Sequence, residues 1–143
     1  MNNEPLVVER TYHAPVAKVW KAITNKTEMK KWYFDLEDFK PEVGFEFTFE
    51  GGTPERTYLH LCRITDVIIG KKLTHTWKYE GYEGLSYVTW ELFSEGDDTR
   101  VRLTHTGLET FPSSITDFAK TNFEEGWNSI LGTSLKKYLE EAN

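Results

Sequence analysis

The sequence contains a single cysteine, Cys62, among its 143 residues. One cysteine excludes an internal disulfide and also a zinc site built from several cysteines. Cys62 falls within an apolar strand pattern, which predicts a buried and unreactive thiol. The lack of a disulfide framework favours a cytoplasmic protein.

Long apolar runs and basic runs are also missing. The first ten residues, MNNEPLVVER, contain no apolar signal core, and no stretch approaches the length needed to cross a membrane. The formal net charge is −6 and the pI is about 5.3, whereas binding to nucleic acid or an anionic membrane requires a positive stripe. The sequence therefore predicts a cytoplasmic protein that binds neither nucleic acid nor membrane.

Motifs of common catalytic and metal sites are absent as well. The sequence has no Gly-x-Ser-x-Gly elbow, phosphate loop or dinucleotide fingerprint. The four histidines, at positions 13, 60, 75 and 105, do not have the His-Glu-x-x-His spacing of a metal-binding helix. His60 and His75 are candidates for cross-strand neighbours, but no acidic third ligand is evident. We therefore assign no catalytic residue, no metal and no cofactor from the sequence.

Aromatic residues, in contrast, are abundant. They make up 15% of the chain and include five tryptophans. This composition is consistent with a core rich in Trp and Tyr or with a cavity lined by aromatic side chains. Composition alone favours the aromatic core.

Hydrophobic periodicity predicts the order of the elements. PLVVERTYHA is typical of a first strand, PVAKVWKAIT predicts a helix from Pro15 to Thr24, and NKTEMKKWYF predicts a second, short helix. From Pro41 onward the period is two, and the strands are GFEFTFE, RTYLHLCRITDVII, KLTHTWKY, LSYVTWELF and TRVRLTHTGL. Because these strands are sequential and joined by short turns, we expect an antiparallel meander.

The stretch NFEEGWNSILGTSLKKYLEE, residues 122–141, predicts a long amphipathic helix. Thr121 and Glu124 have the spacing of a capping box at its start. A strand, two helices, a meander and one long helix indicate an α+β fold with helices on one face of a sheet. A strongly curved sheet around the last helix leaves a hollow between them.

Two glycines interrupt this helix, and each costs about 0.8–1.0 kcal/mol relative to Ala in a helix interior. We expect Gly126 to let the helix approach a strand closely. Gly132, with Ser134, is expected to leave space beside Trp127 and Leu131. The alternative is that a Phe or Trp side chain from the sheet fills this space.

Five blocks of the sequence, in order, resemble proteins similar to the activator of the heat-shock protein 90 ATPase. They are YHAPVAKVWKAITNKTEMKKWYF, KKLTHTW, VTWELF, TRVRLTHTGL and EEGWNSILGTSLKKYL. One departure is His13, where the family usually has Asp before the Ala-Pro pair. The resemblance covers the chain from about Leu6 to Leu139 and implies the helix-grip, or START-like, fold. The length of 143 residues predicts a single domain over residues 1–143. This group includes the birch pollen allergen, lipid carriers and polyketide cyclases, so the fold alone does not determine the function.

The hollow between sheet and last helix is the predicted ligand site. Alternation along KLTHTWKY and RVRLTHT points His75 and His105 into the interior, either as hydrogen-bonded core residues or as a polar pair that orients a ligand. The residues expected to line the site are Trp32, Phe47, His75, Trp77, His105, Trp127, Leu131 and Gly132.

Three functions are consistent with the sequence. The first is binding of an apolar or aromatic small molecule in this hollow. The second, implied by the resemblance, is binding to heat-shock protein 90 and modulation of its ATPase, although the resemblance covers only the part related to the activator's C-terminal domain. The third is an enzyme of the cyclase or aromatase kind that uses His75 or His105 as acid or base.

Overall fold

A computed structural model describes residues 4–33, 36, 38–52 and 55–141. Within these residues, six strands form one antiparallel sheet in the order β1-β6-β5-β4-β3-β2. The strands are β1 Leu6–Tyr12, β2 Glu46–Gly52, β3 Thr57–Ile68, β4 Lys72–Tyr79, β5 Ser86–Glu95 and β6 Asp98–Thr106. Strands β2 to β6 form the expected meander, and β1 extends the sheet by pairing with β6.

Side-chain alternation decides which face of the sheet is buried. On β4 and β6 every second residue is buried, as the sequence predicts. The register places Val88 of β5 between His75 and His105, so the two histidines lie on one face two strands apart. His60 pairs with Tyr79 and His75 pairs with Ile64, so the two histidines are not cross-strand neighbours.

Two short helices follow β1 and pack against the inner face of the sheet. Helix α1, Val16–Thr24, begins immediately after Pro15, and α2, Lys26–Trp32, begins after Asn25, whose side chain accepts a hydrogen bond from the Glu28 amide. Trp32 donates from Nε1 to the Ala22 carbonyl at 2.9 Å and so joins the two helices.

The predicted C-terminal helix is present, but its start and its middle differ from the prediction. It consists of α3, Lys120–Ser129, a π-helical turn, Ile130–Leu135, and α4, Lys136–Glu141. The predicted capping box is wrong: Ala119 precedes the first helical residue and no side chain caps the start. Because the helix begins at Lys120, Thr121 already lies inside the first turn.

Contacts with β1 accompany the π-helical turn. The Tyr12 hydroxyl donates to the Leu131 carbonyl at 2.6 Å in a buried position. A Cβ atom at Gly132 would lie 3.2 Å from Nε of Arg10, whose guanidinium also donates to Asn128 Oδ1. Gly132 therefore makes room for Arg10 and not for a ligand, which corrects the expectation from the sequence.

Candidate functional site

A cavity of about 540 Å³ lies between β2–β4 and the first half of the C-terminal helix. Its volume is in the range of small-molecule sites, roughly 300–1,000 Å³. The sheet contributes Tyr58, His60, Trp77 and Tyr79, and the other wall includes Phe118, Phe123 and Trp127.

The aromatic walls of this cavity are held by ring contacts. The ring of Tyr79 stacks on that of Phe118 with centroids 4.3 Å apart. Trp77 and Trp127 meet edge to face at 5.4 Å. Such ring pairs contribute stabilisation in addition to that from the buried area of each ring. The walls therefore hold their positions without a ligand.

The mouth of the cavity passes between exposed residues of α3 and the end of β2. Asn122, Glu125 and Gly126 border it from the helix, and Gly52 borders it from the strand. A Cβ atom at Gly126 would meet nothing within 4 Å. The expectation that Gly126 brings the helix against a strand is therefore wrong, because this glycine faces open space.

A chain of hydrogen bonds ties the helix to the sheet behind this cavity. Trp127 donates from Nε1 to Nδ1 of His105 at 3.0 Å, so Nδ1 carries no proton. Nε2 of the neutral ring therefore carries the proton and donates to Ser86 Oγ at 2.8 Å. The Ser86 hydroxyl in turn donates to the Trp77 carbonyl. The chain fixes one tautomer of His105.

Burial keeps three histidines neutral. It lowers the pKa of His60 and His75 to about 4 and that of His105 to about 3. For His60 and His75, backbone carbonyl acceptors such as Tyr58 and Thr76 partly offset this effect. At neutral pH these rings are therefore uncharged, and His75 and His105 are satisfied core residues by their hydrogen bonds.

The candidate residues from the sequence fall into separate groups. Trp77 and Trp127 line the cavity. Trp32, Phe47 and His75 surround a much smaller void of about 10 Å³ near α2, which is too small for a ligand.

Three other candidates lie outside the described lining of the 540 Å³ cavity. His105 supports Trp127 from behind, Leu131 is fully buried, and Gly132 faces Arg10.

Sequence reasoning missed several residues of the cavity walls. Tyr79 shares a face of β4 with Trp77, so alternation contained the signal that identifies it. Phe118 lies in a short 3-10 turn, Thr116–Phe118, inside a connection without periodicity. Its place opposite Tyr79 follows from tertiary packing, for which the local sequence has no signal.

No group of three or more His, Cys, Asp or Glu side chains among the described residues is close enough to hold a metal ion. No helix there is both long and apolar enough to span a membrane.

Comparisons with known proteins agree with this architecture. The family model described as "Activator of Hsp90 ATPase homolog 1-like protein" matches residues 13–140. No curated relative matches the sequence.

Solved structures share the helix-grip fold. CV1439 from Chromobacterium violaceum aligns with a TM-score of 0.81 and 19% identity over 98% of this chain and 99% of its own. CalU16 from Micromonospora echinospora aligns at 0.74 and 24% over 95% and 74%. DynU16, from the dynemicin biosynthetic locus, aligns at 0.80 and 20% over 99% of this chain and 49% of its own. This chain thus spans about half the length of DynU16, and at these identities the likeness establishes the fold.

Proposed function

The chain belongs to the family of activator of Hsp90 ATPase homologue 1-like proteins, and we propose that it binds an apolar, aromatic small molecule between its sheet and its C-terminal helix. The observation that carries this proposal is the cavity of about 540 Å³ with aromatic side chains on both walls. A flat aromatic molecule there would bury apolar surface that is otherwise in contact with water, which is favourable. Its ring could also stack on the wall rings or meet them edge to face, which adds to the binding free energy.

The charge state of the surrounding histidines supports binding more than acid–base catalysis. A general acid or base works best with a pKa near the operating pH, whereas burial holds His60, His75 and His105 far below it. His75 and His105 also lie outside the described lining of the cavity. These observations do not favour the cyclase or aromatase alternative.

A neutral fluorescent probe, N-phenyl-1-naphthylamine, tests the proposal directly. Titration into the wild-type protein should enhance probe emission and quench tryptophan emission, since Trp77 and Trp127 line the cavity. Absence of binding at about 100 μM, which corresponds to an interaction weaker than about −5.5 kcal/mol, would contradict the proposal.

A substitution at the mouth locates the site. Gly126→Leu places a side chain into open space beside the cavity and replaces Gly by a better helix former, by up to about 1 kcal/mol. Probe affinity should fall at least tenfold while thermal stability is kept or raised. Ser129→Leu is the matched control, because Ser129 is exposed on the same helix and is not among the lining residues.

Binding to heat-shock protein 90 is the second candidate, and the family match over residues 13–140 is what favours it. The contact is expected at loops, including residues 109–118, and should be sensitive to salt, because charge contributes to encounter. Titration of the purified chaperone with this protein, followed by its ATPase rate, tests this function. No rate change and no binding at tens of micromolar would remove it.

A further inference from the structure

We propose that the Tyr79 hydroxyl selects ligands that carry a hydrogen-bond-accepting oxygen, such as an aromatic ketone. This inference rests on the proposed binding function and names the ligand chemistry that the same cavity would recognise. It also names the residue that would make the distinction.

The Tyr79 hydroxyl accepts one hydrogen bond and has its own proton available to donate. Its oxygen accepts a hydrogen bond from Nε1 of Trp77 at 2.9 Å. Among the described residues, none accepts the proton of the Tyr79 hydroxyl. The side chain is buried, with 5% of its surface exposed, and it lines the cavity. A buried donor without an acceptor is costly, and a ligand oxygen in the cavity would satisfy it.

The protonation state of Tyr79 suits a donor. Burial raises the pKa of this phenol above its usual value, so the hydroxyl keeps its proton at physiological pH. The donor is also oriented, because the bond from Trp77 occupies one lone pair of the oxygen and the ring stacks on Phe118.

The lining residues Tyr58, His60 and Asn122 already have hydrogen-bond partners within the protein. The Tyr58 hydroxyl donates to Oδ2 of Asp117 at 2.5 Å, and Nδ1 of His60 lies 3.0 Å from the Tyr58 carbonyl. Asn122 donates from Nδ2 to the Thr116 carbonyl. Tyr79 is therefore the buried donor of this lining that a ligand can reach without breaking an existing bond.

The charges at the mouth further restrict the ligand. Asp117 and Glu125 border the cavity, and no Lys or Arg is among its described lining residues. Arg56 forms an ion pair with Asp117 at 3.2 Å, so one carboxylate is compensated and Glu125 leaves a negative balance. A ligand carboxylate would meet repulsion without a cationic partner, and neutral ligands are preferred.

Three probes of one tricyclic shape test this inference: fluorene, 9-fluorenone and fluorene-9-carboxylate. Their dissociation constants are measured for wild type, Tyr79→Phe and the matched control Tyr87→Phe. The ratio of the dissociation constant of fluorene to that of fluorenone measures the preference for the ketone. This ratio should be about 3–10-fold higher in wild type than in Tyr79→Phe, the range of one neutral hydrogen bond. Tyr87→Phe should keep the wild-type ratio, because Tyr87 is exposed on β5 and is not among the lining residues. The carboxylate should bind most weakly.

The outcomes separate this inference from the function on which it rests. If wild type binds none of the three probes, the proposed function fails. If fluorene and fluorenone bind but their ratio is the same in wild type and Tyr79→Phe, the role of Tyr79 fails and the binding function stands.

Tyr79→Phe also leaves Nε1 of Trp77 without its acceptor, so its fold must be checked by circular dichroism. Should it fail to fold, Trp77→Phe is compared with the double variant Trp77→Phe/Tyr79→Phe, which removes both partners together. The ratio should change between these two proteins by the same factor, and an unchanged ratio would overturn the inference.

Discussion

His60, His75 and His105 are buried on the inner face of the sheet as neutral rings, and their burial makes folding stability depend on pH. Their pKa values are about 4, 4 and 3 in the folded protein and about 6.5 when unfolded. Below pH 6.5 the unfolded chain therefore binds more protons than the native one. The contribution of these histidines to the free energy of unfolding is fully present above this pH and is lost as the pH falls toward 4.

We expect each of these histidines to lower stability by up to about 1.4 kcal/mol per pH unit between pH 6 and pH 4.5. Urea unfolding at a series of pH values measures the slope. His75→Phe, which keeps an aromatic ring beside Phe47 and Trp77, should reduce this slope by the contribution of one titrating histidine. An unchanged slope would mean that His75 is not neutral in the fold. His13→Ala is the control: His13 is exposed, and Asp98 raises its pKa, so its contribution has the opposite sign.

Trp20 and Trp32 lie on the two early helices and differ in how deeply they are buried. Both are expected to hold the early helices against the sheet. Trp32 is buried, stacks on Tyr33 at 5.0 Å and bonds the Ala22 carbonyl, whereas Trp20 is half-buried.

Trp32→Ala should cost about 3–5 kcal/mol in the free energy of unfolding, the range for a truncated buried aromatic residue. Trp20→Ala should cost clearly less, because less of its surface leaves water on folding. Denaturant titration compares the two variants. A loss below about 1 kcal/mol for Trp32→Ala would show that this residue is not part of the core.

At the scale of elements, the π-helical turn Ile130–Leu135 depends on β1 through the hydrogen bond from Tyr12 to the Leu131 carbonyl. Tyr12→Phe keeps the ring and removes the donor, so a buried carbonyl loses its partner. We expect a loss of about 1–3 kcal/mol in stability. Amide exchange should accelerate in residues 131–136 more than in α1, and uniform acceleration would contradict a local role.

Element types follow from the sequence because periodicity is a local property. Period two identifies β4 over Lys72–Tyr79, and helical spacing identifies the C-terminal helix. The π-helical turn and the role of Gly132 were not predictable, because they depend on Tyr12 and Arg10. These two side chains come from a strand more than a hundred positions earlier in the chain.

The sequence predicts that a cavity exists, and two of the predicted residues, Trp77 and Trp127, line it. A curved sheet facing an amphipathic helix indicates a hollow, and alternation places Trp77 on its side. Its position toward β2–β4, away from Trp32 and Phe47, depends on how the 3-10 turn at Phe118 packs against Tyr79. That contact is tertiary and has no signature in the sequence.

At the scale of the whole molecule, one hydrophobic core joins the inner face of the sheet to the helices. Because a single core unfolds as a unit, we expect one cooperative thermal transition. Calorimetry with and without EDTA should give superimposable transitions. A large fall in the midpoint with chelator would reveal a metal requirement.

The ring contacts also have an optical consequence. Trp77 lies 5.4 Å from Trp127, Trp127 lies 5.9 Å from Trp90, and Trp90 lies 6.3 Å from Trp32. At such separations we expect excitation energy to transfer between the indole rings before it is emitted. A ligand bound in the cavity, as we propose, would contact Trp77 and Trp127, and we expect it to quench the emission of Trp90 and Trp32 as well.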